Sequence, residues 1–386
     1  MNPLRHKLFR DLRRLWIQAI AVGTVLGCGI AIFVMSIGTY ASLESARDDY
    51  YQKSKMADLT TTLVRAPDSI APFLALLPGV AAIETRTVGF GLIDLSTVDE
   101  PVTAQLLSLP DGRRPTVNDL VLRAGRWPEA HRTNEALLNE AFATAHGIEP
   151  GGTISLLIRG ERKRFNIVGV ASSPEFVFAV APGSILPEPG RFGVLWINRS
   201  TLASALELDG AFNDVVLRVS SEKSRATVSA SIDERLTRYG NRGVYGRERM
   251  LSARFLTDEL SQLKTLASIL PPIFLLVATF LIHSILSRLV GMERSNIGLL
   301  KSFGYRNWAI GWHYAQFSIA FSLVGIGIGI FLGTIVGRYM TEVYRDVYHF
   351  PTLEFQADAL TYSGAVTVGL IAGLLGAFSA VRQATR

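Results

Sequence analysis

The chain offers few residues whose type and spacing would carry bond-making chemistry. Six histidines are present, but no serine sits on a strand-to-helix elbow, and a Ser/His/Asp triad drawn from them is arbitrary. No GxxxxGK(S/T) stretch exists to cradle nucleotide phosphates, and no HExxH or other spaced ligand set. Gly151-Gly152 and Gly183 read as turn glycines. The single cysteine, Cys28, lies in an apolar run, which excludes an intrachain disulfide and a cysteine metal cluster. His283 stands in another apolar run, where an ionisable group is a proton-relay candidate. Its place near the end of that run favours a neutral, hydrogen-bonded imidazole instead. Asn198-Arg199-Ser200 matches a glycosylation sequon, a short pattern that chance supplies often. No catalytic residues, no metal and no bound cofactor are therefore expected, and energy for any work must come from another subunit.

The most informative stretch is mechanical. Residues 288–304 are short, charged and amphipathic, and they separate two apolar runs ending near Leu286 and beginning near Ala309. Arg288, Arg294, Lys301 and Arg306 against Glu293 make this a cytoplasmic loop by the positive-inside rule. A helix through it puts Ile297, Leu300 and Gly304 on one stripe, with Glu293 a turn ahead. Such a stripe on a short basic loop needs a cover, either lipid headgroups or a cytoplasmic partner.

The elements that hold this loop follow from hydropathy. With 386 residues and 48% hydrophobic residues, and mean hydropathy +0.27, the chain is too apolar for an ordinary soluble protein and too charged for a pure bundle. The formal charge of +6 sits largely beside the apolar runs, where topology and anionic lipid explain it without nucleic acid. Residues 1–14 read as an amphipathic segment on the membrane surface. Four spans are expected, over 15–41, 263–287, 309–338 and 359–382, with a loop at 339–358. Both termini fall inside, because each loop placed inside is basic. Pro271-Pro272 is expected to kink the second span near its outer end. Gly23 and Gly27 in the first span, Gly325, Gly329, Gly333 and Gly337 in the third, and Gly369 and Gly373 in the fourth form small-residue rows suited to close helix packing.

Between the first two spans lies a soluble domain over 42–262, reached through helical ends that would form a stalk. Asp58–Val64 followed by Pro67–Leu77, and Asp214–Val219 followed by Glu222–Leu236, are both strand-then-helix. Their pairing predicts one α+β lobe from 58–110 and 212–240, with a smaller β-rich lobe inserted over 115–210. Ile83–Asp94 and Val102–Ser108 read as strands of the first lobe. Thr153–Arg159 and Lys163–Val170 read as a hairpin around Gly160-Glu161.

The motif Glu293-Arg294-x-x-Ile297-Gly298-Leu299-Leu300-Lys301-Ser302-Phe303-Gly304 resembles the loop between the second and third membrane helices of MacB/FtsX-like ABC permeases. The family carries Glu or Gln before Ile-Gly; this chain has Asn296, polar but uncharged. The segments Gly125–Pro128, Asn134–Ala143 and Gly147–Ile154 are similar to that family's inserted lobe, and the four-span topology is the family's own. The resemblance implies an α-helical bundle plus a large extracytoplasmic α+β domain, a porter-like lobe split by a β-rich one. It implies a bacterial plasma-membrane permease that binds no nucleotide itself and is driven by a separate ABC ATPase. On that reading Glu293, Arg294, Asn296, Ile297, Gly298, Leu300, Lys301 and Gly304 form the ATPase-coupling helix. A second permease unit is expected, either another copy or the other half of a longer chain, with the glycine rows and first helix as candidate interfaces. A periplasmic adaptor and membrane lipid are further expected partners. Export or extraction of a lipid, lipoprotein or hydrophobic small molecule is the implied activity; the alternatives are an FtsX-like regulator of a cell-wall hydrolase, or a sensor without transport.

Overall fold

The computed structural model describes residues 10–94, 102–184, 188–350 and 352–385. Residues 1–9 of the expected amphipathic segment lie outside them; residues 10–14 are helical. The chain forms two compact units. One comprises the segments up to Ser45, Glu259–Tyr344 and from Leu353 onward; the other comprises Ala46–Asp258 and Arg345–Thr352.

The first unit is built from helices α1 (Trp16–Lys53), α6 (Leu251–Met292), α7 (Arg294–Ser302), α8 (Asn307–Tyr348) and α9 (Ala359–Thr385). Four of these, α1, α6, α8 and α9, are long and apolar enough to cross a membrane. The glycines explain how they pack. A Cβ added at Gly325 would lie 2.9 Å from the Gly23 carbonyl, one at Gly329 2.8 Å from that of Gly27, and one at Gly333 2.8 Å from that of Ala31. Partners advance four residues at a time in the same direction, so α1 and α8 run parallel with backbones in contact. Gly38 and Gly337 both abut the Phe355 ring, which fills the gap they leave. In α9, a Cβ at Gly369 would lie 2.9 Å from Ile30 and 2.7 Å from Ile326, and Ser318 Oγ donates to the Gly373 carbonyl at 2.5 Å. The glycine rows are thus consumed within one chain. The expectation that they are free to join a second unit is corrected.

Pro271 and Pro272 stand inside α6, which continues unbroken from Leu251. The expected loop over 339–358 is also revised: α8 runs on to Tyr348. No glycine or proline interrupts residues 338–348, and the helix stops where His349 takes φ +49, two residues before Pro351.

The second unit holds two sheets. Strands β1 (Leu59–Pro67), β2 (Val80–Arg86), β10 (Ala211–Val219) and β11 (Tyr245–Gly246) form the first, in the order β11-β1-β10-β2. β1 and β10 pair antiparallel from Leu59↔Leu217 to Pro67↔Ala211. Helices α2 (Ala71–Ala75) and α5 (Arg225–Leu236) cover one face through Leu74, Val228, Ile232 and Leu236, packed on Leu63, Phe212 and Val215. The chain ends of the domain therefore do meet as one lobe.

Strands β3 (Val88–Asp94), β4 (Val102–Leu109), β5 (Val121–Gly125), β6 (Glu135–Asn139), β7 (Thr153–Ile158), β8 (Glu161–Ser172) and β9 (Phe192–Asn198) form the second sheet. Its order is β5-β8-β6-β9-β4-β3-β7, and β7 also pairs with β8, so the sheet closes on itself. Leu106, Leu138, Leu156, Phe165, Ile167 and Leu195 belong to its core, with α3 (Glu140–His146) and α4 (Arg199–Ala205) adding Phe142 and Leu202. The β7–β8 turn sits at Arg159 (φ 49) and Gly160 (φ 88), one residue before the expected pair; two positive φ values suit a type I′ hairpin.

Here the expected boundaries shift. Residues 83–94 are two strands in two sheets, not one, and β3 and β4 belong to the inserted lobe. That lobe begins near Thr87 rather than 115 and is the larger of the two. The Asn213 side chain accepts from Val88 N at 2.8 Å and donates to Val88 O at 2.7 Å, replacing the ladder partner that β10 would have supplied.

Because the α1–α8 contact is backbone to backbone, Gly329→Leu with Gly333→Leu is expected to cost about 1–3 kcal/mol per site by overpacking. Thermal unfolding of the solitary chain in detergent should show the loss. A midpoint unchanged from wild type would place these glycines on lipid.

Candidate docking site on the short amphipathic helix

Helix α7 is defined sharply at both ends. Glu293 leaves helical geometry (φ −95, ψ 12), which breaks α6 from α7. At the far end Gly304 takes φ +86. Its N–H donates to Lys301 O at 3.0 Å, and Tyr305 N donates back to Leu300 O at 3.1 Å. This is a Schellman-like stop, and Leu300 and Tyr305 each pack against the bundle core. Gly304 thus ends the helix rather than lying on a docking stripe.

The two faces of α7 divide differently from the sequence expectation. Ile297 is 5% exposed and packs with Leu289, Val290, Ile310 and Tyr314; Leu300 joins the same cluster. The Ile297–Leu300 stripe is therefore the root of the helix, held by its own chain. The outward apolar surface is instead Leu299 (59% exposed) and Phe303 (73%), one turn apart. A Cβ at Gly298 would touch nothing within 4 Å. Arg294, Asn296 and Gly298 are exposed, Glu293 and Lys301 half-buried. Asn296 Nδ2 donates to Glu293 Oε2 at 2.9 Å, tying the helix start to the break. Leu299 and Phe303 were within the recognised motif, but Leu299 and Leu300 are adjacent, so helical spacing alone allows either stripe to face inward. The large apolar side chains of Tyr305, Ile310 and Tyr314 decide it.

His283 Nδ1 lies 3.4 Å from Ser287 Oγ, one turn along α6. Among the described residues no group of three or more His, Cys, Asp or Glu side chains gathers within reach of one metal ion.

The second unit is stiffened at its lobe junction. Arg86, at the end of β2, donates Nε to Asp214 at 2.7 Å and both terminal nitrogens to Glu175 at 2.6 and 2.9 Å. Burial opposes the Arg86 charge, yet Asp214 and Glu175 hold it more firmly protonated than an ordinary arginine. Burial pushes the Asp214 carboxyl up, partly offset by Arg86. Glu84 accepts from Arg113 at 2.6 and 3.0 Å and from Thr116 N at 3.0 Å. Burial would raise its pKa, but these bonds hold it below the usual carboxylate range. The residues following α1 are clamped too: Ala57 N donates to Asn118 Oδ1 at 2.6 Å, and Arg247 donates to the carbonyls of Met56 and Ala57 at 2.7 and 2.8 Å. Finally, residues 345–350 dock within this unit. Tyr348 stacks near Phe178, Phe350 meets Tyr50 edge-on at 6.1 Å, and Arg123 Nη2 donates to His349 O at 3.2 Å.

Comparison with known proteins finds two family profiles. The MacB-like periplasmic core domain matches residues 19–235, more than half the chain, and the FtsX-like permease C-terminal domain matches residues 268–386. Two solved structures match part of the chain at low sequence identity. The extracellular domain of the noncanonical ABC-type transporter YknZ from Gram-positive bacteria is 11% identical, covering 49% of this chain and 99% of that one, with a TM-score of 0.34. The periplasmic region of MacB from Actinobacillus actinomycetemcomitans is 11% identical, covering 55% and 95%, with a TM-score of 0.34. No curated protein matches the chain.

Burying an unpaired carboxylate under α7 is expected to cost about 3 kcal/mol or more, so Ile297→Asp should lower the unfolding midpoint clearly. Phe303→Asp, on the open face, should change stability by no more than about 0.5 kcal/mol. Equal effects of the two on unfolding in detergent would contradict the assigned orientation of the helix.

Proposed function

The chain belongs to the MacB/FtsX-like ABC permease family, and from that premise we propose that it is the membrane subunit of an ABC transporter whose separate ATPase docks on α7. The observation that carries this reading is the open Leu299–Phe303 face on a helix rooted by Ile297 and Leu300. A helix anchored on one side and apolar on the other fits a partner groove, read at i and i+4. Arg288, Arg294 and Arg306 lie in and beside this loop in sequence, which supports a cytoplasmic position by the positive-inside rule. Both termini and α7 then share the inner face of a bacterial plasma membrane, and the unit formed by Ala46–Asp258 and Arg345–Thr352 works outside.

ATP binds to the partner, not to this chain. Nucleotide-driven movement at α7 passes into α6 and α8, since Glu293 joins α7 to the former and the Schellman stop joins it to the latter. Helix α8 runs unbroken to Tyr348, so its last residues belong to the outer unit. The same is true of α1 to Lys53 and of α6 from Leu251. The work done outside is extraction or export of a lipid, lipoprotein or hydrophobic small molecule. A second permease unit completes the transporter through surfaces other than the glycine rows, and a periplasmic adaptor receives the cargo.

Two experiments test this. Leu299→Asp with Phe303→Asp is expected to abolish co-purification with the cognate ATPase, a loss of about tenfold or more in affinity, while the unfolding midpoint of the permease stays at the wild-type value. Normal ATPase recovery with that double variant would refute the docking assignment. Arg123→Ala with Phe350→Ala should leave ATPase binding intact but abolish export, because the outer end of α8 loses its grip; export at the wild-type rate would show that grip to be dispensable.

A further inference from the structure

At the end of the bundle that carries α7, an open cavity of about 500 Å³ lies between residues 11–18, just before and at the start of α1, and the last turns of α6. Two arginines line it, Arg14 and Arg288, and so do two carboxylates, Asp11 and Glu293. Leu289 and Met292 supply apolar wall. Neither the docking face of Leu299 and Phe303 nor any glycine row contributes to it.

We propose that this cavity binds the headgroup of an aminophospholipid, the phosphate between Arg14 and Arg288 and the ammonium on Glu293 and Asp11. Depth supports a lipid. Arg14 directly precedes the apolar run that begins at Leu15, and Arg288 follows the one that ends at Leu286. The groups therefore sit at the level where hydrocarbon gives way to headgroups, and the ligand always present there is phospholipid. Charge supports the class. Arg14 and Arg288 make no ion pair or hydrogen bond among the described residues, so two guanidiniums face the cavity ready for bidentate phosphate recognition. Among the described residues Asp11 is met by Arg10 at 3.7 Å. Glu293 is oriented by Asn296 at 2.9 Å. The formal charges of these four lining groups cancel. A purely anionic headgroup would set negative charge against the carboxylates that line the cavity, whereas a zwitterion with an N–H donor answers both signs. The apolar wall then meets the first methylenes of the acyl chains. Since Glu293 is the break between α6 and α7, the bound headgroup touches the hinge on which the docking helix turns.

The test uses the full chain, delipidated in detergent, titrated with phosphatidylethanolamine, phosphatidylglycerol and phosphatidylcholine of identical acyl chains and read by native mass spectrometry. Phosphatidylethanolamine is expected to bind about tenfold more tightly than either of the others, the effect of one charge-assisted hydrogen-bond set. Arg14→Gln with Arg288→Gln should weaken its binding by about tenfold or more, and lysine at both positions, which keeps the charge but loses the bidentate fork, should restore only part of it. Glu293→Gln should erase the preference over phosphatidylglycerol while leaving the affinity for phosphatidylglycerol equal or higher. Equal or tighter binding of phosphatidylglycerol or phosphatidylcholine by the wild type would overturn the proposal. So would soluble phosphoethanolamine binding as tightly as the lipid, because the apolar wall would then play no part. Should the double glutamine variant unfold, Glu293→Gln decides alone. The readout is independent of the ATPase, so failure here leaves the docking assignment standing, and the reverse holds as well.

Discussion

Glycine at every fourth position of α8 lets its backbone meet the backbone of α1, and the geometry of the bundle depends on that close approach. Inside a bilayer there is no hydrophobic gain from bringing two apolar helices together, because lipid tails are as apolar as leucine. What remains is contact between atoms, and it is greatest where no side chain intervenes. Gly325, Gly329 and Gly333 place Cα atoms against the carbonyls of Gly23, Gly27 and Ala31. Ile30 then reaches past α8 to Gly369 of α9, and Gly29 of α1 admits Phe274 of α6. One helix, α1, is thus touched by all three others through positions where a larger residue would not fit.

That arrangement has a mechanical consequence. Helices that interlock through backbone are poor at sliding and good at tilting as a set. The parallel pair α1 and α8 rises in the same direction, and each continues without a break into residues of the outer unit. There the chain is again gripped rather than left loose: by Arg247 and Asn118 on residues 56 and 57, and by Arg123, Tyr50 and Phe178 on residues 348–350. The lobe junction is fixed by Arg86 between two carboxylates, a buried arrangement that is costly to break because it strands a charge. Stiffness at each of these points suits the transmission proposed above.

Much of this was legible before the structure. The four spans, the basic loop and the pairing of β1 with β10 follow from hydropathy, charge and a repeated strand-helix pattern. The glycine spacing announced close packing but not its partner, because a row of small residues looks the same whether it faces its own chain or another. The division between the two sheets was hidden for a similar reason. Residues 83–94 hold no proline and read as one extended run, yet the Asn213 amide, distant in sequence, meets Val88 where the chain passes from β2 in the first sheet to β3 in the second. Local propensity carries no trace of that side-chain amide.

The docking helix shows the limit most clearly. Its sequence is apolar at 297, 299, 300 and 303, enough for two stripes rather than one. Amphipathicity normally identifies the inward face by elimination, since the polar face must be wet. A short helix that serves both a bundle and a partner has no wet apolar-free face, and elimination fails. The outward stripe is then recognised only by what covers the inward one. Tyr305, Ile310 and Tyr314 close over Ile297 and leave Leu299 and Phe303 open. Under the proposed docking, Leu299 and Phe303, which the chain's own packing leaves uncovered, are the residues that a partner would grip.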